Sequence, residues 1–332
     1  MFEHPSRNIE EPLRDLVGAY RFREALSLYL EWCEGPVEVT PHAQLMAAHA
    51  ASRIGEFELA GCLAAAAQLE FRARGDDTGV IDCANLLGAA AFERGHIAEA
   101  EVQFRSVLQM AESGGHARFT ARSANNLAII AHLRGEDQLA MALYRKALDA
   151  FHRLNDERGI VETWHNLALT QRESGWTADA LGECHRAVHA AERLGAAVLL
   201  ALTLFGRAEL FIASGAFDQA ASDIERARHL AWLEGSEPHV LESERLLALL
   251  ALRRGQPEEA HRHAELTRAR AAESGFAQIA AESASIAALA LKADRRLSEA
   301  AAANDLAVAS LAALGATGLL RTHARAWRAT AA

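Results

Sequence analysis

Arg118-Phe119-Thr120-Ala121-Arg122-Ser123-Ala124-Asn125-Asn126-Leu127-Ala128 opens a pattern that runs on through Gly135, Ala140 and Tyr144, then restarts at Asn166-Leu167-Ala168, Gly175 and Ala180. Helix formers, small residues and helix-stopping glycines return here at a spacing of 40 residues. That spacing is the mark of a stacked helical hairpin and its copy, each unit too small to bury its apolar side alone.

Working outward, the same grammar fills the chain. One row of helix stops stands at Gly55, Gly95, Gly135, Gly175, Gly215 and Gly255, with Arg295 in the next place. A second row, half a period away, stands at Gly35, Gly75, Gly115, Gly195, Gly235, Gly275 and Gly315, with Asn155 filling the gap. After glycine, Asn is the residue that best tolerates the left-handed conformation closing a helix, so the substitution keeps the rule. Two rows of small residues lock the register: Ala60, Ala100, Ala140, Ala180, Ala220, Ala260 and Ala300, and Ala48, Gly88, Ala128, Ala168, Ala208, Ala248 and Ala288. Small side chains at fixed places let paired helices approach closely, with larger ones such as Phe104 and Tyr144 filling the next layer.

The spacing predicts first helices near 42–54, 78–94, 117–134, 157–174, 197–214, 237–254 and 277–293. Second helices follow near 57–73, 97–113, 137–153, 177–193, 217–233, 257–273 and 296–313. A less regular hairpin, 7–19 and 21–34 with Tyr20 at the glycine place, precedes them after a loop-like linker at 35–41. A single helix over 316–328 follows and is expected to cap the open end, its Arg321, Arg325, Arg328 and Trp327 either covering the core edge or meeting a partner. The fold class is therefore all-α: a solenoid of about eight antiparallel hairpins with a C-terminal capping helix, read as one array over 1–332 with seven regular units over 41–314.

Composition limits the function. A formal charge of -10 opposes a general nucleic-acid surface, which needs a basic stripe. Cys33, Cys62, Cys83 and Cys184 form no CxxC pair and read as reduced core residues. Residues 1–9 are polar and carry Pro5, which predicts no signal peptide. The most apolar segment, 196–213, is interrupted by Gly206, Arg207 and Glu209, so no membrane span and a cytoplasmic protein are expected.

The spacing Asn126-Leu127-Ala128, Gly135, Ala140, Tyr144, Ala147 resembles the tetratricopeptide repeat in a 40-residue form. The phrase Leu154-Asn155-Asp156-Glu157-Arg158-Gly159 before Asn166-Leu167-Ala168 is similar to repeats of kinesin light chain, Leu-Gly-Asn-type adaptors, Rap-type peptide receptors and the sensor regions of bacterial signal-transduction ATPases. The resemblance covers about 7–330 and implies a right-handed superhelix whose first helices line a concave groove for segments of other proteins. By position it implies that Asn126 and Asn166 hold a ligand backbone and that Arg122 meets an acidic ligand side chain; Glu162 departs from that pattern. Gly206-Arg207 stands where the next Asn-Leu belongs, ending the ladder.

Taken from the first-helix register, the groove-facing residues are His42, Leu45, His49 and Arg53; Asp82, Asn85 and Phe92; then Arg122, Asn125, Ile129 and His132. They continue with Glu162, His165, Leu169 and Arg172, then an apolar unit with Leu202, Phe205 and Glu209, and lastly Arg245, Arg253, Glu282 and Lys292. The candidate partner-binding set is Asn85, Phe92, Arg122, Asn125, Asn126, Ile129, His132, His165, Asn166, Leu169 and Arg172. Amides could hydrogen-bond a peptide main chain while apolar neighbours take its side chains.

Metal chemistry finds only His185 and His189 beside Cys184, and His261 near His263, on second helices, with no HExxH and no third ligand; these read as surface histidines. There is no GxSxG, GxxxxGK[ST] or GxGxxG, and paired carboxylates such as Glu258-Glu259 sit where a helix start favours them. No cofactor and no catalysis are expected. The sequence points to a scaffold or adaptor holding a peptide or helix of another protein, or else to a regulatory sensor that changes shape on binding one. It leaves the oligomeric state open.

Overall fold

A computed structural model of the chain describes residues 9–19, 21–35, 39–173 and 177–330. Tyr20 and Gly175, two of the expected helix stops, and 36–38 of the linker lie outside the described residues. The chain divides into two compact units, Met1–Phe119 and Thr120–Ala332.

The first unit contains α1 (Glu10–Gly18), α2 (Phe22–Cys33), α3 (Pro41–Arg53), α4 (Phe57–Arg74), α5 (Asp77–Glu93) and α6 (Ile97–Gly114). The boundary falls within α7 (Ala117–Leu133). The second unit continues with α8 (Asp137–Leu154), α9 (Glu157–Glu173), α10 (Thr177–Leu194), α11 (Ala197–Ser214), α12 (Phe217–Leu233), α13 (Glu237–Arg253), α14 (Pro257–Glu273), α15 (Ala277–Ala293), α16 (Leu297–Ala313) and α17 (Thr317–Ala329). The described residues are all-α, and each expected helix is present with its ends shifted by only a few residues.

The stops work as their chemistry requires. Asn155 takes φ 52°, and its N–H and that of Asp156 donate to His152 and Phe151 carbonyls that α8 would otherwise leave orphaned. Arg295 adopts φ 60° in the place glycine holds in the other regular units. Both rows of small residues are buried throughout, and a Cβ on Gly88 would lie 2.7 Å from the Phe104 ring. Tyr144, Phe104 and Phe71 are among the largest fully buried side chains or close to it, each on a second helix.

The Asp-x-x-Gly phrase at two linkers has a packing reason. Asp76 Oδ1 accepts from Gly79 N, and Asp156 Oδ1 from Gly159 N, both at 3.0 Å, starting α5 and α9. The ring of the preceding second helix then lies flat on that glycine: an added Cβ would meet Phe71 at 2.4 Å and Phe151 at 2.3 Å. Phe151 is buried and cannot swing away. Gly159→Ala should therefore destabilise the protein by up to about 2 kcal/mol, because overpacking of about 1–3 kcal/mol is set against a gain in helix propensity of about 1 kcal/mol. Urea denaturation measures it; a stabilised variant would contradict this packing.

Two expectations need correction. Only Cys83 and Cys184 are buried; Cys33 and Cys62 are exposed, because each sits on the outward side of its helix rather than in the packed row. And α11 is, by length and composition, apolar enough to cross a membrane despite Gly206, Arg207 and Glu209. In the fold its apolar residues Leu199, Leu204 and Phe205 join one core with residues of α9, α10, α12 and α13, which accounts for an apolar helix.

In the second unit the first helices pack directly on one another, α9 on α11, α11 on α13, α13 on α15 and α15 on α17. Trp327 of α17 packs beside Ala284, Ala288 and Ala307, with the Lys292 ammonium 4.6 Å above its ring, so this part of the basic-aromatic helix covers the core edge.

Candidate functional site

Asn85 and Phe92 belong to α5 of the first unit; the other nine candidate residues belong to α7 and α9 of the second. On α5, Asn85 is buried with its carbonyl oxygen unpartnered, and Phe92 is half-buried. On α7 and α9, Arg122, Asn126, Ile129, His132, Asn166, Leu169 and Arg172 are half-buried, whereas Asn125 and His165 are buried. Steps of three or four residues along each helix keep these side chains on one face. The two helices are stitched there by an amide pair, Asn166 Nδ2 donating to Asn125 Oδ1 at 3.4 Å. His132 faces Asp137 at 3.7 Å, and Glu162 accepts from Arg158.

Beyond α9 the face changes character. Arg172 pairs with Glu209 of α11, and Glu209 also pairs with Arg245 of α13. Arg245 meets Glu242 at 2.5 Å on its own helix and Glu282 of α15 at 3.0 Å. Gln278 donates to Glu282 at 2.8 Å. The result is one alternating network across four first helices, buried at Glu209 and Arg245 and half-buried at Arg172, Glu242 and Glu282. Arg172, Glu209, Arg245 and Glu282 lie 36 or 37 residues apart, so each step falls one helical turn short of the 40-residue period and stays on the same face. The unit expected to be apolar thus carries the central carboxylate.

Burial opposes the charge on Glu209, but Arg172 and Arg245 outweigh it and hold the carboxyl down to about 2. Burial likewise opposes the charge on Arg245, which Glu242, Glu282 and Glu209 keep firmly protonated. Glu242 is pushed up by burial despite Arg245. Three carboxylates share two guanidiniums here, and Glu242 shows the shortfall. His165 is lowered to about 4 by burial first, so it is neutral at pH 7. Its Nδ1 has no hydrogen-bond partner, and its ring sits against Gly206, where a Cβ would come within 2.4 Å of Nδ1. Phe205 beside it stacks on His239 of α13 with centroids 6.2 Å apart.

The ladder of asparagines ends at Gly206 because His165 occupies the space a side chain there would need. Arg207, the next residue, turns off this face and grips Asp223 of α12 through two hydrogen bonds of 2.7 and 2.8 Å. Sequence reasoning placed Glu209, Arg245 and Glu282 on the right face but left them and Glu242 and His239 out of the candidate set. The signal for Glu209, Arg245 and Glu282 was the alternation of sign at 36–37 residues; Glu242 and His239 lie outside that spacing and had none.

No protein-family model matches the chain, and no curated protein matches it. Solved structures do. The Rap conjugation gene regulator of the plasmid pLS20, in complex with the Phr* peptide, is 13% identical, covers 93% of this chain and 97% of its own, and superposes with a TM-score of 0.68. A Rap protein complexed with Competence and Sporulation Factor is 14% identical over 98% of this chain and 97% of its own, with a TM-score of 0.63. NprR in complex with its cognate peptide NprX is 14% identical over 98% of both, with a TM-score of 0.62. At such identities the likeness is one of fold, and the chain has an all-α helical-repeat solenoid fold.

Proposed function

We propose that the first-helix face of the second unit is a receptor surface for a peptide or helical segment of another protein, in a non-enzymatic, cytoplasmic adaptor or regulator. The observation that carries this reading is the Asn125–Asn166 pair set among half-buried Asn126, Ile129, Leu169 and Arg172. One amide oxygen and one amide N–H are spent on each other, leaving the Asn125 amide donor and the Asn166 amide acceptor, the two kinds of group a peptide main chain pairs with. Ile129 and Leu169, one helical turn further along α7 and α9, offer half-buried apolar surface on the same face. Two of the solved structures named above, the pLS20 regulator and NprR, hold peptides, which supports this class of ligand for the shared fold.

A non-enzymatic role is supported by how the buried reactive groups are used. Glu209, Arg245 and Asp223 are committed to ion pairs, and burial pushes the Cys83 and Cys184 thiols up to about 12.

The test starts from a random peptide library selected on the full-length protein. Replacing Asn125, Asn126 and Asn166 by Ala together should weaken the selected peptides at least about tenfold, the loss of two or so hydrogen bonds at about 1 kcal/mol each, with helicity unchanged. Equal affinity for wild type and triple variant would remove this face as the binding surface.

A further inference from the structure

Within the second unit, the start of α17 returns to the turn between α7 and α8, more than 180 residues earlier in the chain. The Thr317 hydroxyl donates to the Arg134 carbonyl at 2.9 Å, and the Arg321 guanidinium donates to the carbonyls of Arg134 at 3.0 Å and Gly135 at 3.2 Å. These acceptors are at the C-terminal end of α7, where carbonyls lack helical partners and the helix dipole favours a cation. The backbones themselves touch. A Cβ on Gly318 would lie 2.6 Å from Gly135 N and 2.8 Å from Leu133 O, and one on Gly135 would overlap the Arg321 guanidinium. Gly318 belongs to neither row of helix stops and is the second residue of α17. This close approach is the reason in the fold for a glycine there.

The contact differs in kind from those that build the unit. Successive hairpins are held by buried Leu, Phe and Ala, whereas Thr317 and Arg321 make exposed hydrogen bonds. The far end of α17 is anchored independently: His323 lies 2.6 Å from Ser285 Oγ and 3.0 Å from Asn304 Oδ1, and Trp327 packs on α15 and α16. A repeat array whose units touch only their neighbours flexes by small changes summed along its length. A polar, exposed contact between its ends is the weakest link and the first to open.

We propose that the start of α17 and the α7–α8 turn form a latch that closes the second unit on itself, and that this unit exchanges between latched and open states. The latch stands apart from the peptide-receptor reading; it holds together the two ends of the array whatever the first-helix face binds.

Spin labels at Gln138→Cys and Arg328→Cys, both exposed, in full-length protein with exposed Cys33 and Cys62 changed to Ser, report the separation of the two elements. The parent should show a dominant narrow short-distance population. Thr317→Ala with Arg321→Ala should move the closed-to-open ratio about tenfold toward longer distances, as loss of two to three exposed hydrogen bonds implies. Gly318→Leu should abolish the short population, with helicity retained by circular dichroism. A parent lacking the short population, or distributions unchanged in the double variant, would overturn the latch. The double variant alone decides if the Gly318→Leu protein does not fold.

Discussion

Arg245→Met should destabilise the protein by about 3–5 kcal/mol, the loss expected when one partner of a buried ion pair is removed and the others stay charged. Arg245 is buried, and its removal leaves Glu209, Glu242 and Glu282 with Arg172 as the one guanidinium within the network. Urea denaturation at pH 7 measures the loss. Its pH dependence has a definite sign. In the native protein Glu209 is held at about 2 against an ordinary 4.5, so its contribution is present above 4.5 and is lost as pH falls toward 2. Without Arg245 that depression shrinks. The gap between wild type and variant should therefore narrow as pH falls from 4.5 to 2, helped by protonation of Glu242, which burial already raises. A loss under about 1 kcal/mol would mean the network is solvated rather than buried.

Gly206→Asn, which restores the residue the repeat pattern expects, should destabilise rather than stabilise, by about 3 kcal/mol. Its Cβ would stand 2.4 Å from Nδ1 and 2.6 Å from Cε1 of His165, a buried ring packed between neighbouring first helices. Overpacking costs about 1–3 kcal/mol, and an amide forced into that space adds about 1–3 kcal/mol if unpaired. The few tenths gained by removing a helical glycine do not offset this. Combining it with His165→Gly should recover most of the loss, since the clash is between those two positions; no recovery would place the strain elsewhere.

Local chemistry makes the fold readable in the sequence. Glycines, Asn155 and the two rows of small residues act within one hairpin, so their spacing carries the helix ends and the register directly. The candidate site was legible only as far as repeats copy one another. Asn125 and Asn166 were visible because each has a counterpart 40 residues earlier, Asn85 and Asn126, whereas their contact joins places 41 residues apart and so lies one residue off that frame. The Arg172–Glu209–Arg245–Glu282 network was not, because it runs diagonally, one turn lower on each helix, and so escapes a fixed 40-residue frame. Gly318 and Arg321 were legible as an extra glycine and a basic face, but their partner is distant in sequence and obeys no period.

The central claim is that the first-helix face of the second unit receives a peptide, and hydrogen exchange with a library-selected peptide tests it most directly. Added protection should fall on α7, α9, α11 and α13, centred on the turns holding Asn125, Asn166 and Glu209, and should be missing in the triple asparagine variant. Protection confined to second helices, such as the end of α12 where Trp232 and Leu233 are exposed, would contradict it.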